Sequence, residues 1–92
     1  MDNFNVQLKC VIIFMHDLIY SQVCNLYNNN FPYNPDIAHD EIFNITRSKF
    51  YDNTTNTYKI KFLNDVIFKR IFEYIYLTSY NLAYNINNHS GN

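Results

Sequence analysis

Between residues 5 and 14 the chain first alternates, with Val6, Leu8 and Cys10 separated by Gln7 and Lys9, and then runs apolar through Val11, Ile12, Ile13 and Phe14. A period of two that gives way to an unbroken apolar run predicts a strand, half exposed at first and covered on both faces at its end. Met15, His16 and Asp17 supply a turn, and residues 18–23 are read as the second strand of a hairpin because Leu18, Ile19 and Tyr20 are β-branched, aromatic or apolar. Ile19, Val23, Leu26 and Tyr27 also fit a helical face, so a short helix is placed after that strand.

Asn28, Asn29 and Asn30, with Pro32 and Pro35 close behind, break regular structure and predict a loop or the start of a helix. Over residues 36–45, Ile37, Ala38, Glu41, Ile42 and Ile45 recur at helical steps. Residues 51–56, YDNTTN, predict a polar loop, after which Tyr58, Ile60 and Phe62 alternate with Lys59 and Lys61 as a half-buried strand. A final helix follows, with Asn64 or Asp65 as its cap. Phe68, Ile71, Phe72 and Ile75 share one face of it, opposite Lys69, Arg70 and Glu73, and that face is expected in the core. The polar residues 85–92 are expected to form a flexible tail, which leaves a single domain over residues 1–84.

Composition narrows the function classes. Hydrophobic residues make up 48% of the 92-residue chain, enough for one packed core. The net charge of -1 offers no basic field for a phosphate backbone, so nucleic acid is not an expected partner. Cys10 and Cys24 are too few for a disulfide framework, which suits a reducing compartment, cytoplasm or nucleus. The run from Cys10 to Met15 is far short of the roughly 20 apolar residues that span a bilayer, and no membrane association is expected. Asp2 also stands where a signal peptide carries positive charge.

The segment YKIKFLNDVIFKRIFEYIYLTSYNL resembles the BTB/POZ family, in which a strand leads through a turn into a helix ending in an aromatic-Ile-Tyr element, here Tyr74-Ile75-Tyr76. Upstream, VIIFMHDLIYSQVCNL is similar to the family's first hairpin running into its first helix, as in viral members. The next helix end has two registers, one with Tyr33 as its aromatic and one with Ala38 and Phe43 in the equivalent places. The family's His-Lys pair reads here as Gln22-Val23 or Asn34-Pro35. The resemblance implies an α+β fold with a small sheet, formed by an N-terminal hairpin and a later strand, packed against amphipathic helices. It also implies a non-enzymatic protein-interaction module that self-associates and docks on a cullin-type ubiquitin ligase scaffold, in a host cell if the chain is viral. An elongin C-like monomeric adaptor receiving a partner's helix is the related alternative.

Candidate partner-binding residues flank the stripe of the last helix: Tyr74, Tyr76, Tyr80, Leu82 and Tyr84, which join large contact area to polar tips. No catalytic residue and no cofactor is expected. His16, His39, Cys10 and Cys24 form no close pair of the kind that builds a zinc site, although a small metal or thiol protein using Cys24 and His39 is a further alternative. Asp36, Asp40 and Glu41 read as a solvated helix face, and the Asn44, Asn53 and Asn88 glycosylation triplets as chance matches in an Asn-rich chain.

Overall fold

The computed structural model describes residues 2–28 and 35–90, with side chains across 3–26 and 38–85. Three helices and one two-stranded antiparallel sheet make a small α+β fold: α1 (Asp2–Asn28), α2 (Pro35–Ser48), β1 (Tyr51–Asp52), β2 (Thr57–Tyr58) and α3 (Asp65–Ser90).

The N-terminal hairpin expected over residues 5–23 is instead a single helix, α1. Val11, Met15, Ile19 and Val23 recur every four residues and are all buried, so a helical stripe outweighs the local alternation. Val6 and Cys10, expected on the covered side of a strand, are exposed, while Leu8 is half-buried. Leu18, Cys24 and Leu26 pack at the edges of the stripe. No Gly or Pro interrupts α1, and β-branched residues lower helix propensity by only tenths of a kcal/mol each, about 0.7 at most. Burial on one continuous face therefore decides the conformation.

Helix α2 begins on Pro35, whose fixed φ and missing N–H suit a first helical position. It buries Ala38, Ile42 and Thr46, again four residues apart. Of the two proposed registers for this region, Tyr33 lies outside the described residues, whereas Ala38 and Phe43 both fall within α2. The helix closes as the Ser48 hydroxyl donates to the Ile45 carbonyl at 2.6 Å and Phe50 N–H to that of Arg47 at 2.9 Å.

The polar loop expected at 51–56 is the turn of a short β-hairpin that pairs Tyr51 with Tyr58 and Asp52 with Thr57. Asp52 accepts from the Thr54 N–H at 2.9 Å and from its hydroxyl at 2.5 Å, an Asx-turn. Asn56 takes φ 56°, left-handed backbone that Asn tolerates better than other side-chain-bearing residues. The strand expected from Tyr58 to Phe62 ends at Tyr58. Its alternation survives in burial alone: Tyr58, Ile60 and Phe62 pack on the core while Lys59 and Lys61 are exposed.

Asn64 caps α3, its Oδ1 accepting the Ile67 N–H at 2.9 Å. Phe68, Phe72 and Ile75 are buried as expected and Ile71 is half-buried against them. The backbone of residues 85–90, expected as tail, continues the helix to Ser90. α2 runs opposite to α3, because His39 reaches Glu73 and Tyr76, Phe43 reaches Phe68 and Phe72, and Arg47 reaches Asp65. Arg47 is a junction: its Nε donates to the Tyr58 hydroxyl at 3.0 Å, its terminal nitrogen to Asp65 at 3.2 Å, and its guanidinium carbon lies 4.0 Å from the Tyr51 ring centroid.

Candidate functional site

The five residues expected to bind a partner do not form one surface, since α3 turns them by 100° per residue. Tyr74 is 75% exposed, and Leu82 and Tyr84 are also exposed. Tyr76 is only 8% exposed. It lies four residues beyond Phe72 and stacks on that ring at 5.7 Å, so it belongs to the core stripe and leaves the candidate set as a correction. Tyr80 is half-buried and stacks on Tyr84 with centroids 6.4 Å apart. Tyr80 and Tyr84 therefore lie on one flank of α3 and Tyr74 on another.

Tyr74 stands beside a groove of about 370 Å³ between α1 and α3. Ile12 from α1 and Ile71, Tyr74 and Ile75 from α3 make its apolar wall, and His16, Arg70 and Thr78 stand at its edge. The Thr78 hydroxyl is turned back onto the Tyr74 carbonyl at 2.8 Å, which satisfies it within the helix and leaves its carbon skeleton to the groove. Leu77, three residues past Tyr74 and turned about 60° from it around α3, toward Tyr84, is 61% exposed. Exposed large apolar side chains next to an apolar groove have the form of a docking surface more than of a reaction centre. Leu77 was legible in the sequence by its spacing from Tyr74. Ile12 and His16 were missed because residues 5–17 were assigned to a strand and its turn.

Chemistry elsewhere is sparse. His39 binds Glu73 through Nε2 at 2.6 Å and Asp40 through Nδ1 at 3.3 Å. Partial burial opposes its charge, but hydrogen bonds to Glu73 and then Asp40, with their negative charges, outweigh that and raise the pKa above the ordinary imidazole value. Both ring nitrogens face acceptors, so neither is free to take a proton from a thiol. Cys24 is half-buried, and its thiol beside Tyr20 pushes the Tyr20 hydroxyl up. Among the described residues no group of three or more His, Cys, Asp or Glu is placed to hold a metal ion. Asp65 accepts from the Tyr58 hydroxyl at 2.6 Å and then from Arg47, and these two bonds hold its carboxyl below the ordinary value. That cluster joins elements of the fold, and Tyr58 and Asp65 line a cleft of about 500 Å³ with Ile60, Leu63 and the polar Asn56 and Asn64. Among the described residues no helix is long and apolar enough to cross a membrane.

No protein-family model, no curated protein and no solved structure matches the chain.

Proposed function

We propose that the protein is a non-enzymatic protein-interaction module whose contact face is the α1/α3 groove with Tyr74 and Leu77. The observation that carries this reading is the exposure of Tyr74 on the wall of an apolar groove about 370 Å³ in volume, with Leu77 exposed three residues further along α3. Two large exposed side chains three residues apart, one of them on the wall of a groove, suit recognition of a helix face, which presents anchors at three- and four-residue steps. The first partner is a second copy of the chain, each groove receiving the other's Tyr74 and Leu77. Docking on a cullin-type scaffold is the narrower form of the proposal and rests on the BTB/POZ resemblance of residues 58–82 alone. The N-terminal helix departs from the hairpin that this resemblance implies.

The elongin C-like adaptor is the second reading, favoured by the groove itself, which lies between two long helices and has the form of a receiver for a partner's helix. Sedimentation across a concentration series separates the two. Self-association is expected for the native chain and is expected to be lost on Tyr74→Asp with Leu77→Asp, with the helical circular dichroism unchanged because both side chains are largely exposed. A native chain that stays monomeric at every concentration rejects the second copy as partner and selects the adaptor. Dimers that persist in the double variant reject the Tyr74 face.

A further inference from the structure

A second cleft, of about 620 Å³, lies between the first half of α1 and the segment leaving β2. Its two walls differ in kind. The α1 wall carries no charge and presents Val6, Val11 and Phe14 beside the polar Gln7 and Cys10, with Phe50 and Ile60 completing an apolar floor. Phe50 is buried and meets the half-exposed Phe14 ring edge-on at 5.6 Å, which joins the floor to the α1 wall just past the end of α2. The opposite wall contributes Lys59 and Lys61, both exposed, on either side of Ile60. Their placement is built in: the Lys59 N–H donates to the Phe50 carbonyl at 2.8 Å, and the Leu63 N–H to that of Ile60 at 3.1 Å. Neither lysine makes an ion pair among the described residues, and no acidic side chain lines the cleft.

Two lysines without an ion pair on one wall and an uncharged, mainly apolar wall and floor opposite complement a molecule with one anionic head and one apolar chain. The volume is in the usual range of about 300 to 1,000 Å³ for small-molecule sites. An acidic peptide would spread its carboxylates along its length, where the α1 wall offers them no cation. We propose that this cleft binds a long-chain fatty acid, with the carboxylate held by Lys59 and Lys61 and the alkyl chain laid along Val11, Phe14, Phe50 and Ile60.

The site is separate from the Tyr74 groove, so the two readings fail independently. Displacement of an environment-sensitive fluorescent fatty acid by palmitate, kept below its micelle concentration, tests the proposal on the full chain. Saturable binding is expected, weakened at least about tenfold, or about 1.4 kcal/mol, when palmitate is replaced by the matching fatty alcohol. Lys59→Glu with Lys61→Glu is expected to weaken palmitate by a similar factor, and Tyr74→Asp to leave it unchanged. The comparison of acid with alcohol needs no variant and so does not depend on how the lysine changes fold. Absence of saturable binding overturns the proposal. So does an alcohol that binds as tightly as the acid, an unaffected lysine variant, or displacement of the probe by an acidic peptide at equal concentration.

Discussion

His39 sits between α2 and α3 with a carboxylate oxygen against each ring nitrogen, so its protonated form can donate to both Glu73 and Asp40. Phe43 stacks on it at 6.3 Å, while Phe72 and Tyr76 meet it edge-on at 5.3 and 5.1 Å. The charge faces Asp40 from its own helix and Glu73 from α3. Because the folded-state pKa is raised above 6.5, the stabilisation is fully present below that value and is lost as pH rises through the raised one. Partial exposure of His39 and Glu73 keeps the contribution below roughly 1 kcal/mol. Thermal melts are expected to fall slightly as pH rises from below the ordinary imidazole value to well above it, and His39→Gln is expected to flatten that part of the profile. A native chain whose melting point rises over the same interval would contradict the assignment.

At the scale of elements, the last helix was legible and the first was not. Phe68, Phe72 and Ile75 keep one face whatever lies opposite, and Asn64 supplies a start signal, so α3 needs no tertiary information. In residues 5–14 two patterns overlap: Val6, Leu8 and Cys10 alternate, while Val11 opens a four-residue series that becomes evident only with Met15, Ile19 and Val23. Within residues 5–14 alone the alternation dominates and favours a strand. Tyr76 was grouped with its neighbours for its large ring and polar tip, although it keeps the phase of Phe72 and is buried with it. Tyr74 was found from sequence, but its groove required α1. The joints between elements rest on Arg47, which meets Tyr51, Tyr58 and Asp65 together. Arg47→Lys keeps the charge and loses the planar fork, so a loss of about 1 kcal/mol is expected in urea unfolding. An unchanged midpoint would show that the junction adds nothing to stability.

The described residues extend 48 × 29 × 17 Å with a radius of gyration of 14.7 Å, against about 12 Å for a compact chain of this length. A body 17 Å thick has room for little more than one and a half helix diameters, given a helix with side chains about 10–12 Å across. Exposed apolar side chains such as Ile13, Phe14, Tyr74 and Leu77 are a consequence of that thinness, because no further layer covers them. Small-angle scattering of the Tyr74→Asp, Leu77→Asp variant is expected to give a radius near 14.7 Å, and a value near that of a compact sphere would reject the elongated arrangement. The union of α1 with α3 also orders events in time. The bonds that join α2, the hairpin and α3 span 34 residues or fewer, as between His39 and Glu73 or, at 18, between Arg47 and Asp65. The α1 stripe must find α3 across more than half the chain, and that larger closure entropy is offset only when Val11, Met15, Ile19 and Val23 are buried together. The C-terminal two thirds can therefore gather first with the Phe68 and Phe72 face still wet, and until α1 arrives the nascent protein is at its most vulnerable to aggregation.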